Sequence, residues 1–452
     1  MSPWSACPRP VSADSWPPSS SPTDPAVWTR RCSAPRRRAC SRRCTDLACG
    51  SPVRLPAPRP ARSLAPRWSD DLRRERCPVS DVLIVSARRS ALTTRGRAFA
   101  GVSADRLAAP VLRAAADDAA RATGVPIEVA DVVLGNCRGP GGNTARLAAL
   151  AAGFGAHTPG ATVDRQCGSG LAAVIDAAQA IAAGDERPRL AGGVESASMA
   201  PERRIDGIPF ERAPFAPTGW PDPDMIDAAD ALARLDGIDR ERQEAAAARS
   251  HRRAASARES GRFAAEIVPI DGVGDDDAIG GALALLPRLT PLRENGTVTA
   301  GTATRIGDGA AAVALVGAAR RAHAPGLLVR GHAVVGVDPA YPGIGAAPAV
   351  EAALAASGAE LAAVAAFEIV EAFAAQSLAV LGRLGLADDD ARVCADGGAL
   401  ALGHPWGASG AVALVRLFSR LVRAGLPSGS IGVAAASVGG GLGVAMVVEV
   451  IR

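Results

Sequence analysis

The stretch CGSGLAAVIDAAQAI, residues 167–181, returns in altered form as GASGAVALVRLFSRL, residues 407–421. Aligned so that Ser169-Gly170 matches Ser409-Gly410, both segments open on small residues and continue as an apolar helical period. Each predicted helix runs on to an apolar or glycine-rich strand about 23 residues after its Ser-Gly pair. Two such units imply a chain built from duplicated halves.

Working outward, apolar strands alternate with alanine-rich helices. DVLIVSA (81–87) and DVVLGN (131–136) read as buried strands, and DRLAAPVLRAAADDA (105–119) as a helix. RLAGGVESAS (189–198) reads as a strand and loop, and GTVTAGTATRIGDGAAAVALVG (296–317) as a turn and strand. This alternation predicts an α/β fold. Residues 199–295 are less regular and read as an inserted loop domain, with a solvated helix over 239–261 ending at Gly261. The expected organisation is 79–317 as the first half, loop domain included, and 318–452 as the second.

Residues 1–78 are rich in Pro, Ser and Arg and hold six of the nine cysteines. No period persists there, which predicts disorder. Organised sequence starts near Val79, so a start codon read too far upstream is one account of this segment. Residues 1–79 carry 15 Arg against 6 acidic residues, a net +9, leaving −5 for the rest of a +4 chain. The body therefore gives no electrostatic argument for nucleic acid. No run of 18 apolar residues argues for a membrane span, and no paired CxxC or nearby His argues for metal. The three body cysteines, Cys137, Cys167 and Cys394, suit a reducing, cytoplasmic compartment.

Cys167 lies between a predicted strand and a helix. A helix N-terminus favours thiolate, and the neighbouring glycines admit a substrate closely. His404, in GGALALGHPWGASG, sits in a loop suited to presenting an imidazole to such a nucleophile. ASVGGGLGVAM (436–446) has no GK[ST] and no GxGxxG spacing, so a phosphate cradle is disfavoured; a strand–turn–strand and an active-site wall both remain open.

In order, the chain carries DRQCGSGLAA, AGGVESAS, QEAAAARSHRRAASARESGRFAAEIVPI, TAGTATRIGDGAAA, GIGAAPA, VEAFAAQ, GGALALGHPWGASG and SVGGGLG. This series resembles the thiolase family of acyl-CoA C-acyltransferases over about residues 79–452. The resemblance implies a five-layered αβαβα fold of two duplicated halves, with the loop domain covering a coenzyme A site. It also implies a homodimer or homotetramer. Coenzyme A serves as substrate, with no cofactor and no metal.

Carried over residue by residue, the resemblance makes Cys167 the acylated nucleophile and His404 its activating base. The oxyanion hole falls to the backbone N–H groups of Cys167 and Gly439, with His404 contributing at the thioester oxygen. Substrate contacts fall to Met225, Ala300, Thr304, Ala372 and Phe373. Several positions depart from the family pattern. Ser437 stands where thiolases carry the Cys that moves the α-carbon proton. Val370 replaces the Asn of NEAF, Asp224 the His of HMG, Asp164 an Asn, and Thr304 a Ser, with Thr304 still able to donate a hydroxyl. A serine hydroxyl is a weaker acid than a thiol by many units. The expectation is thus a thiolase-type transferase working through acyl-Cys167. The alternatives are a hydrolase or acyltransferase with little C–C chemistry, or a non-catalytic CoA-binding relative.

Overall fold

The computed structural model describes residues 80–210, 212–281 and 283–452. The reading of residues 1–78 lies outside the described residues.

The first half runs β1 (Val82–Ser90), a two-residue β2 (Thr93–Thr94), α1 (Ala104–Thr123), β3 (Asp131–Gly135) and α2 (Thr144–Ala151). It continues with β4 (Gly160–Val163), α3 (Ser169–Ala182) and β5 (Arg189–Ser196). An excursion follows: the hairpin β6 (Arg203–Ile205) and β7 (Ile208–Phe210), α4 (Met225–Leu235), α5 (Arg240–Glu259) and β8 (Ile267–Val268). The chain then returns as β9 (Gly307–Gly317). The second half runs β10 (Gly326–Gly336), α6 (Ala346–Ser357), β11 (Val364–Ile369), α7 (Ala374–Arg383), α8 (Ala399–Leu402) and α9 (Trp406–Leu417). It closes with β12 (Ile431–Val438) and β13 (Leu442–Ile451).

The strand order is β11-β12-β13-β10-β1-β9-β5-β3-β4. The halves share a pattern. In each, the outer strands are parallel (β4, β3 and β5; β11 and β12), and the last strand lies antiparallel between the fourth and the first. The second half lacks a full third strand, but the bridge of Val393 to Phe367 marks its place. The duplication read from Ser169 and Ser409 is therefore a duplication of topology. The two half-sheets meet edge to edge through Leu83↔Leu328 and Ile84↔Leu327.

Helices α3 and α9 pack on each other and on strands of both halves; α1 and α2 cover the far face of one half-sheet and α6 that of the other. That is the five-layer arrangement. It explains why β5 and β9 are buried at every position and read as unbroken apolar runs rather than alternating ones. Such close layering needs bare backbone. A Cβ on Gly193 of β5 would stand 1.9 Å from the Gly407 carbonyl at the start of α9.

Two expectations need correction. Helix α5 is not a solvated helix. Gln243, Ala246, Ala247, Ser250, His251, Ala254 and Ala257 are buried, because one face packs on α7 and α8. Its arginine-rich composition hides that face. The excursion between β5 and β9, read as less regular apart from the helix over 239–261, also carries α4.

Candidate active site

The connection from β4 to α3 delivers Cys167. Gln166 takes φ 45°, and the Ser169 hydroxyl donates to the Gln166 carbonyl while accepting from the Arg165 N–H. The equivalent connection in the second half delivers His404. Its N–H bonds the Arg305 carbonyl at 2.8 Å, next to an Ile306–His404 bridge. Cys167 and His404 thus come from matching places in the two repeats. His404 Nε2 lies 3.3 Å from Cys167 Sγ.

On the other side of the ring, His404 Nδ1 is 2.6 Å from Ser409 Oγ, whose single proton is also within reach of the Pro405 carbonyl at 3.1 Å. With that proton given to Pro405, Ser409 accepts from Nδ1–H. This assignment leaves the Nε2 lone pair facing the thiol.

The backbone N–H groups of Cys167 and Gly439 are directed at the sulfur. Burial nevertheless pushes the Cys167 thiol up to about 12, with Glu195 and Asp164 adding repulsion. Burial also pushes His404 down to about 4. The expectation of a resting thiolate is corrected accordingly: α3 starts only at Ser169, and desolvation outweighs the helix terminus. The resting pair is neutral thiol and neutral imidazole.

These groups sit on the wall of a cavity of about 910 Å³. The nine residues to which the resemblance gives a catalytic, oxyanion or substrate role all line it: Cys167, Met225, Ala300, Thr304, Ala372, Phe373, His404, Ser437 and Gly439. Met225 opens α4, with Asp224 as its N-cap and as the partner of Arg293. The segment around Thr304 ties the site together through Thr304 N–H to the Ala372 carbonyl and the Ala303–Phe373 bridge. The Thr304 hydroxyl itself donates to the Ala399 carbonyl at 2.6 Å, so it is not the free donor the sequence suggested.

Ser437 is tied as well. Its hydroxyl donates to the Gly343 carbonyl at 2.6 Å and accepts from Ala346 N–H at 3.0 Å. Val370 is buried and does not line the large cavity. It borders a separate internal space of about 30 Å³ together with Glu368, Ser409 and Arg416. The glycine run is a turn between β12 and β13 and also a wall of the cavity, so both open readings of it hold.

Sequence reasoning missed two residues. Ser409 was visible only as a mark of the repeat. Glu195, fully buried in β5, accepts from Cys137 N–H, Arg138 N–H, Gly407 N–H and Asn136 Nδ2 at 3.0–3.2 Å. It joins the first half to the start of α9, and nothing local in AGGVESAS signals that. Among the described residues no group of His, Cys and acidic side chains could hold a metal ion. None of the described helices is long and apolar enough to cross a membrane.

Residues 82–319 match the model of the thiolase N-terminal domain, and residues 325–450 that of the thiolase C-terminal domain. The chain belongs to the thiolase family. It is 39% identical over 397 residues to an acetyl-CoA acetyltransferase of Pseudomonas aeruginosa, covering 81% of this chain and 99% of that one. It is 39% identical over 404 residues to the peroxisomal 3-ketoacyl-CoA thiolase 1 of Arabidopsis thaliana, covering 82% of this chain and 87% of the relative. The crystal structure of the Bacillus anthracis acetyl-CoA acetyltransferase superposes with a TM-score of 0.75 at 37% identity, covering 83% of this chain and all of that one. This thiolase-family chain is thus an α/β acyltransferase in fold and class.

Proposed function

We propose that the chain is an acyl-CoA C-acyltransferase of the thiolase type, cleaving or forming 3-ketoacyl-CoA through an acyl-Cys167 intermediate. One observation carries the reading: Cys167 Sγ stands 3.3 Å from the His404 imidazole, on the wall of a cavity large enough for a CoA ester. In thiolysis, His404 Nε2 takes the thiol proton as the sulfur attacks the 3-keto carbon. The N–H groups of Cys167 and Gly439, which meet the sulfur in the free site, are the donors at hand for the oxygen on which negative charge grows; such donors are worth about 3 kcal/mol each. The C2–C3 bond breaks, and the departing enolate takes a proton. His404, now protonated, is the available acid, because the Ser437 proton is engaged with Gly343. CoA then attacks acyl-Cys167, with His404 again the base.

The test is CoA-dependent loss of enolate absorbance from acetoacetyl-CoA and longer 3-ketoacyl-CoAs. No loss at any chain length rejects the reading. The engaged Ser437 hydroxyl favours one second reading, acyl transfer or hydrolysis without C–C chemistry. Acyl-Cys167 in mass spectra together with free acid and no thiolysis product would establish it. Retention of both Cys167 and His404 at bonding distance speaks against a mere CoA binder.

We also read the protein as a cytoplasmic homodimer or homotetramer with no cofactor other than CoA as substrate. Among the described residues strand β4 is a sheet edge, and beside it α2 exposes Leu147 and Leu150. Light scattering after size exclusion tests the assembly.

A further inference from the structure

Among the described residues lining the cavity, only two carry a formal charge, Asp224 and Arg305. Asp224 is accounted for by Arg293 at 2.7 Å. Arg305 is not. It is exposed and lines the cavity, and among the described residues no carboxylate or carbonyl accepts from its guanidinium. Its backbone is fixed, since its carbonyl holds His404 N–H and the next residue bridges to His404. Its Nη2 lies against Gly281, 3.2 Å from where a Cβ would stand. Gly280 N–H donates to His251 Nδ1 at 3.3 Å, which places the imidazole proton on Nε2. His251 lines the same cavity, and that Nε2–H has no acceptor among the described residues.

Helix α5 and the segment leading into β9 therefore bring together a guanidinium and an imidazole N–H, each without a partner among the described residues, on an otherwise mostly apolar wall. Leu283, Leu285, Leu286 and Leu289 stand nearby in the lining. An uncompensated cation in a cleft with low-dielectric walls concentrates anions there.

We propose that Arg305 and His251 form an anion subsite that takes a carboxylate or phosphate oxygen of the substrate. The proposal rests on the reading of the cavity as an acyl-CoA site. The anion has two chemical sources: a terminal carboxylate on the acyl group, or a phosphate of CoA. Charge-assisted hydrogen bonds of this kind, when lost, weaken binding by about tenfold to a hundredfold.

The experiment is calorimetric binding of four unreactive thioethers to the full chain and to its Arg305→Gln variant. They are S-butyl-CoA, S-(3-carboxypropyl)-CoA, and the same two groups on phosphate-free pantetheine. The Arg305 side chain has no partner to lose among the described residues, so the variant is expected to fold. Weakening confined to the two carboxylate-bearing ligands assigns the subsite to the acyl group. Equal weakening of both CoA ligands and of neither pantetheine ligand assigns it to a CoA phosphate. Wild-type affinity of Arg305→Gln for all four, or no binding of any to the wild type, overturns the subsite. Mass spectrometry of Cys167 after acyl-CoA exposure separates the two claims. Binding that depends on Arg305 without acylation sinks the transferase reading alone; acylation without dependence on Arg305 sinks the subsite alone.

Discussion

Ser409 holds His404: its hydroxyl oxygen sits 2.6 Å from Nδ1 and orients the ring so that Nε2 meets Cys167. Ser409→Ala removes the acceptor that fixes the tautomer. Acylation of Cys167 is expected to fall by about one to two orders of magnitude, with the fold intact. Rapid-quench mass spectrometry of Cys167 measures it, and an unchanged rate would show that the ring needs no such partner.

Burial sets the pH behaviour of the same histidine. His404 is pushed down to about 4, from an ordinary 6.5 in the unfolded chain. Between those values the unfolded chain binds a proton that the folded one does not, so stability rises with pH across that window. The slope approaches about 1.4 kcal/mol per pH unit from this group. Urea unfolding at pH 5, 6 and 7 is expected to show a shallower rise for His404→Asn than for wild type. Acylation should persist at pH 5.5, because the folded imidazole is still neutral there.

Ser437→Cys tests which half of the chemistry survives. The substitution frees this position from the Gly343 carbonyl and offers a more acidic group. Exchange of the α-proton of acetyl-CoA with deuterated water is expected to rise. Loss of the acceptor for Ala346 N–H costs about 1 kcal/mol of stability. Val370→Asn should not add to the gain, since that side chain borders the separate internal space and a buried amide there costs about 1–3 kcal/mol.

Glu195→Gln replaces a carboxylate that accepts four donors with an amide that can accept at only one oxygen. Either orientation sets the NH2 against two N–H donors. A loss of about 1–3 kcal/mol is expected, together with slower acylation, because Gly407 lies three residues from His404. Thermal unfolding and Cys167 acylation read the two effects separately.

Gly439→Ala probes the glycine turn. Its Cβ would stand 2.5 Å from Phe215 Cε2, and that ring is stacked 4.4 Å from the Arg212 guanidinium. Something must shift, and the Gly439 N–H is the group with least to spare. Acylation is expected to drop by about tenfold or more, with binding of an unreactive CoA thioether little changed.

Much of this was legible in order along the chain. Apolar runs marked β5 and β9, and the Ser169–Ser409 correspondence foretold a repeated topology. All nine residues assigned to the site came together on one cavity. What escaped had physical reasons. Helix propensity suggested a free N-terminus at Cys167, but the desolvation that governs its thiol depends on packing of both halves. Ser437, Thr304 and Val370 were read by chemical type alone. Their hydrogen bonds and facing depend on distant partners at Gly343, Ala399 and Ala435. Arginine spacing made α5 look solvated, because alanine and serine on its inner face carry little hydrophobic signal.

The duplicated halves differ most at one corresponding connection. Between its fourth and fifth strands, the first copy strings more than a hundred residues, from β5 to β9, over the cavity mouth. The second copy crosses from β12 to β13 on Gly439, Gly440 and Gly441 alone. One repeat grew a roof at this junction while its twin stayed stripped to peptide, and the bareness of the second is what lets a main-chain amide reach the sulfur beneath that roof. The asymmetry is therefore functional on both sides: an added side chain at the short junction and a deletion in the long one would damage the same site from opposite directions.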